Sequence, residues 1–149
     1  MRVAVIRVVA GAALLTMGYM AGRFDGVVPA AQAAQAPAGR VFELRTYTTN
    51  EGKLPTLNTR FRDHTMRIFS KYNMTSIGYW TPQEGPLAQN TLIYIIAHQS
   101  REAAKASWAS FQADQEWVKV RTESEANGKI LVKSPESVFL VPTDYSPIK

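Results

Sequence analysis

The chain has 149 residues, 17 Lys plus Arg against 12 Asp plus Glu, a formal net charge of +5 and no cysteine, which suits one domain with one modest core. Without cysteine there is no disulfide framework, no thiolate nucleophile and no Cys-based metal site. The basic excess is small and dispersed, with Arg2, Arg7 and Arg23 all in the N-terminal lead, so the clustered stripe that neutralises nucleic-acid phosphates is excluded.

The lead, residues 1–23, places Arg2 and Arg7 before an apolar run at 8–21 and closes it with Arg23. That run is shorter than the roughly 20 residues of a membrane span and suits a signal-peptide core. Small residues at Ala31, Ala33, Ala34 and Ala36 offer cleavage sites, but they lie well beyond the run. The lead therefore reads as a signal peptide or as an uncleaved N-terminal anchor, followed by a flexible Ala/Gln/Pro-rich linker at 24–39. In either case the domain at 40–149 is expected to be exported: periplasmic, secreted or tethered to a membrane through residues 8–21.

The domain opens with "VFELRTYTTN", residues 41–50. Its alternation puts Glu43, Arg45 and Tyr47 on one strand face, about 7 Å apart, and Phe42, Leu44 and Thr46 on the other. Turn residues follow, and Lys53 to Tyr72 then carries helical periodicity through Leu54, Leu57, Phe61, Ile68 and Tyr72. Pro55 falls in the first turn, where its missing N–H costs nothing. "MTSIGYWT" and "NTLIYIIAH" read as two strands joined by a Pro/Gly loop. Ser100 caps a second helix with Ala104, Trp108 and Phe111 on its apolar stripe, and Asp114 can restart it toward Trp117 and Val120. Gly128 ends the helical region, and "KILVKSPESVFLV" is extended chain interrupted at Ser134 and Pro135.

This order, β-α-β-β-α-β, predicts an α+β, ferredoxin-like fold with both helices on one face of a four-stranded antiparallel sheet. In "TLIYIIA" both strand faces are apolar, and helices can cover only one. The other face needs a second sheet, most simply from a second copy of the chain, so a homodimer is expected. On this reading the cover over Glu43, Arg45 and Tyr47 is the twin subunit, and the three line an intersheet cavity.

The stretch "FELRTYTTNEGKLPTLNTRFRDHTMRIFSKYNMTSIGYWTPQEGPLAQNTLIYIIAH" resembles the NIPSNAP family, through "ELRTYT", "EGKLP", "FRDHT", "GYW" and "GPLAQ" in order. "WASFQADQEWVKV" and "SPESVFLVP" extend the likeness over nearly all of 41–149. The resemblance implies a dimeric α/β barrel, an architecture shared with cofactor-independent oxygenases and haem-degrading enzymes, and leaves the activity unsettled.

The candidate catalytic residues are Glu43 and His64. An ionised Glu43 beside Arg45 could orient a ligand or accept a proton, and Tyr47 could donate to an oxyanion; the alternative is a same-face ion pair on a half-wet strand. His64, near the first helix's apolar stripe, is either a core histidine or a ligand and proton shuttle. Candidate ligand-binding residues are Arg45, Tyr47, Tyr79, Trp80 and Tyr94, with Tyr79 and Trp80 on opposite strand faces. His98 reads as a loop or capping residue, and Arg60, Arg62 and Arg67 as solvated helix surface. Two distant histidines without paired carboxylates offer no metal site. No cofactor follows from the residues, although the resemblance admits haem. The function expected is binding of a small apolar or aromatic molecule in the intersheet cavity; a monooxygenase, or an interaction protein with a filled cavity, are the alternatives.

Overall fold

The computed structural model describes residues 39–149; the lead, with its signal or anchor reading, and nearly all of the linker lie outside the described residues. Strand β1 (Val41–Thr48) is central, pairing with β3 (Thr91–His98) and β4 (Glu136–Leu140). With β2 (Thr75–Trp80) the sheet order is β2-β3-β1-β4 and every pair is antiparallel. The ferredoxin-like expectation is met.

The first helical stretch is α1 (Leu54–Arg60), a π turn (Phe61–Thr65) and α2 (Met66–Lys71), with Pro55 in its first turn. Leu57, Phe61, Ile68 and Phe69 are buried along one side. Asn73 ends the stretch with φ +57°, a left-handed conformation that its short polar side chain tolerates. The second helical stretch is α3 (Arg101–Ala113) and α4 (Gln115–Ser124). Ser100 Oγ accepts the Ala103 N–H at 3.0 Å, and Asp114 Oδ1 accepts the Trp117 N–H at 2.9 Å, so Asp114 ends one helix and caps the next. Past Gly128, Leu131 bridges Thr49, and the chain re-enters the sheet only after Pro135. Among the described residues no helix is long and apolar enough to cross a membrane.

Cross-strand partners share a face, and the register therefore sorts the sheet into two surfaces. Arg45 lies opposite Tyr94 and Ser137, Glu43 opposite Ile96 and Phe139, and Tyr94 opposite Tyr79. This is the helix side: Phe61 packs 5.6 Å from Tyr47, and Phe69 6.1 Å from Tyr94. The other surface carries Leu44, Ile95 and Val138 in one row, and Ile93 beside Trp80. Among the described residues no helix covers it, and Trp80, Val138 and Leu140 are 51%, 53% and 37% exposed.

The polar face of β1 thus looks at the helices, and the expectation that it lines an intersheet cavity is corrected. The physical reason is shape and donors. The larger rings, Tyr47, Tyr94 and Tyr79, interlock with Phe61, Phe69 and Trp108 as a helix-sheet core. The flatter aliphatic surface of Leu44, Ile93 and Ile95 remains for another sheet.

Candidate functional site

Glu43 is 1% exposed, on the strand beneath α3. Its Oε1 accepts from Arg45 Nη1 at 2.9 Å and from Ser137 Oγ at 2.6 Å. Its Oε2 lies 3.0 Å from His98 Nε2 and accepts from Trp108 Nε1 at 2.7 Å. Four polar groups from β1, β3, α3 and β4 therefore meet one carboxylate, two at each oxygen. Burial alone would raise its pKa, but the hydrogen bonds from His98, Ser137, Trp108 and Arg45 outweigh it and hold the group at about 2. Glu43 is accordingly an ionised hub with its acceptor capacity filled, and a poor proton acceptor at neutral pH.

Arg45 pairs with this hub and lays its guanidinium 4.4 Å from the centre of the Trp108 ring. Burial opposes the Arg45 charge, but Tyr47, Tyr94 and Glu43 together push its pKa above the ordinary value. His98, expected in a loop or capping role, is instead 2% exposed and bound to Glu43, with Nδ1 buried and without a hydrogen-bond partner among the described residues. Trp108, read as helix packing alone, packs and also donates to the carboxylate. The register signal that finds His98 is its place opposite Val41, two residues from Glu43 on the same face.

Above the hub is a groove of about 690 Å³ between α3 and β4. Trp108, Ala109 and Phe139 give it apolar walls, Arg101, Glu102, Lys105 and Gln112 give it polar ones, and the buried Glu43 reaches its floor. Arg101 stacks on Phe139 with 4.0 Å between the guanidinium carbon and the ring centre. Apolar walls with a few convergent polar groups are the usual make-up of a small-molecule pocket.

The other expected site residues are dispersed. Tyr94 is fully buried and donates to the Tyr47 hydroxyl at 3.0 Å, and burial pushes its own pKa well up. Tyr47 and Tyr94 are core fillers, and Tyr79 stacks on Tyr94 at 5.3 Å from the same side. Trp80 lies on the open face as the alternation required, folded over Gly78, where an added Cβ would come within 2.5 Å of its indole. His64 lines a separate groove with Arg60, away from Glu43, so the two candidate catalytic residues do not share a site. Arg60 itself, expected on the solvated basic face, is 4% exposed and lies against Trp117. At the edge of the open face a cavity of about 350 Å³ is lined by Phe42, Ile77, Ile95, Pro142 and Ile148, with no charged group.

Among the described residues no cluster of His, Asp and Glu is arranged to hold a metal ion. Haem fits poorly with the histidines as placed. The Nε2 of His98 is engaged by Glu43 inside the core, and the groove beside His64, about 300 Å³, is too small for a macrocycle.

A four-stranded antiparallel sheet in this order, with helices on one face, defines a ferredoxin-like α+β fold. The chain belongs to the NIPSNAP family, whose model matches residues 42–147. Among solved structures, an uncharacterized NIPSNAP domain protein from Burkholderia xenovorans is 27% identical, with TM-score 0.60 over 72% of this chain and 98% of that one. A NIPSNAP family protein from Agrobacterium tumefaciens is 21% identical, with TM-score 0.64 over 76% and 96%. A monooxygenase of Streptomyces coelicolor, in complex with nanaomycin D, shares the fold at 16% identity and TM-score 0.50, over 72% and 90%. No match was found among curated proteins.

Proposed function

We propose that the chain is an exported, homodimeric small-molecule-binding protein whose ligand is a planar aromatic compound bearing an acidic group. The observation that supports this reading is the groove over Glu43. Trp108 and Phe139 can clasp a ring, while Arg101 and Lys105 meet a negative substituent. The proposed ligand site lies on the helix side of the sheet and not between two sheets. The dimer is proposed from the open face, where Leu44, Ile95 and Val138 form an aliphatic row that another sheet would cover. Export rests on the lead segment alone.

The test is titration with 1-naphthoate, followed by tryptophan fluorescence. Saturable quenching is expected in the wild type, and it should weaken about tenfold in Lys105→Ala, on the scale of one charge-assisted hydrogen bond. Saturable quenching that persists unchanged in Trp108→Phe would refute the location. A second reading, a cofactor-independent monooxygenase, rests on the fold shared with the Streptomyces coelicolor monooxygenase. Oxygen uptake with dihydroxynaphthoate is its expected outcome; binding without uptake would reject it.

A further inference from the structure

A second buried cation lies between α1 and α4, apart from the Glu43 groove. Arg60 ends α1 where the π turn begins, and its side chain is 3% exposed. Its Nη1 donates to Ser124 Oγ at 3.2 Å and to Glu125 Oε1 at 3.4 Å; its Nε is buried without a partner, and its Nη2 makes no hydrogen bond among the described residues. Glu125 is a weak partner for such a charge, being 29% exposed and at long range. Burial outweighs it and pulls the Arg60 pKa below the ordinary value.

Arg60 lines a groove of about 300 Å³ together with Thr56, Thr59, His64 and Ser124. The π turn belongs to this construction. Thr65 Oγ1 donates to the Arg60 carbonyl at 3.1 Å across the widened turn, and Arg60 and His64 both line the groove. A cation here could instead serve the C-terminal carbonyls of α4. The bonds run otherwise: the Arg121 carbonyl accepts from Ser124 Oγ at 3.0 Å and from the Glu125 N–H at 3.1 Å, while both bonds of Arg60 go to side chains. Glu123, which also lines the groove, has a side chain that is 65% exposed and lies 3.9 Å from Lys119.

We propose that this groove binds the phosphate group of a small soluble ligand, with Arg60 as the charged anchor and Thr56, Thr59 and His64 as hydrogen-bonding partners. A guanidinium, two threonine hydroxyls and an imidazole suit an anion that carries several acceptors around one centre. A tetrahedral phosphate presents enough acceptors in three dimensions, and arginine's planar fork suits it.

The experiment is a heteronuclear NMR titration of the full chain with inorganic phosphate, with acetate and chloride as controls at matched ionic strength. Phosphate should saturably shift the amides of Thr56, Thr59, His64 and Ser124, and acetate should not. Arg60→Met should weaken binding about tenfold, the effect of losing a charged donor. Because that variant could fail to fold, the double variant Thr56→Val with Thr59→Val, which keeps Arg60, supplies the same test through weaker phosphate binding. Equal shifts with acetate, shifts mapping elsewhere, or unchanged affinity in the hydroxyl double variant would overturn the site. Co-sedimentation with phosphatidic acid vesicles without any response to free phosphate would overturn the assignment to a soluble ligand.

Discussion

Replacing Glu43 by Gln should cost the domain about 3 kcal/mol at pH 7, and that cost should vanish in acid. The carboxyl titrates at about 2 in the folded chain against 4.5 for an ordinary glutamate, and a displacement of that size, at about 1.36 kcal/mol per unit, is worth about 3 kcal/mol. Because the folded value is depressed, this stability is fully present above pH 4.5 and drains away as pH falls toward 2. The neutral amide of the Glu43→Gln variant mimics the protonated acid and has nothing to lose in that window. Urea unfolding of both proteins at intervals from pH 7 to pH 2 measures the gap, and groups common to both cancel. The gap should narrow from about 3 kcal/mol to near zero. A gap that stays flat across the window, or one under about 1 kcal/mol at pH 7, would refute the claim that His98, Ser137, Trp108 and Arg45 stabilise an ionised hub.

Other perturbations test other parts of the argument. Leu44→Lys, on the open face, should convert the proposed dimer to a monomer in sedimentation velocity while leaving far-UV circular dichroism intact; a wild-type sedimentation coefficient would count against that interface. Ser100→Ala removes the cap of α3 and should lower the unfolding free energy in urea by about 1 kcal/mol. Tyr72 donates to Asp114 Oδ2 at 2.7 Å, so Tyr72→Phe should cost about 1 kcal/mol by the same measurement. Asp114→Ala loses that bond and the cap of α4 together, and should cost about 2 kcal/mol.

The fold was legible because its signals are local. Periodicity placed the first helix, Ser100 and Asp114 announced the later caps, and the alternation in β1 separated Glu43, Arg45 and Tyr47 from Phe42 and Leu44. Which face of β1 meets the helices was not legible from that alternation. A polar row suggests water or a cavity, yet here it is buried because Trp108, His98 and Ser137 deliver donors to it. Those partners lie 65, 55 and 94 residues from Glu43 along the chain, and no pattern within a strand points to them. The bulk of Tyr94 opposite Arg45 was the available hint, since large rings fill helix-sheet cores while short aliphatic side chains suit sheet-sheet contacts. The buried state of Arg60 was hidden for a different reason. Arg60 stands in regular helix three residues after Leu57, beside the buried stripe, but its charge within a basic run pointed to solvent.

The wide spacing of the donors around Glu43 also bears on the order in which the chain assembles. Arg45 is two residues away and can meet the carboxylate as soon as β1 forms, but Ser137, 94 residues distant, arrives only when the last strand docks. Closing such a loop costs entropy before any contact repays it. If the set of bonds is completed only after the folding transition state, its loss appears mainly as faster unfolding with little change in the refolding rate. Glu43 then acts as a latch on the finished molecule, setting how long the native state lasts once β4 is in place.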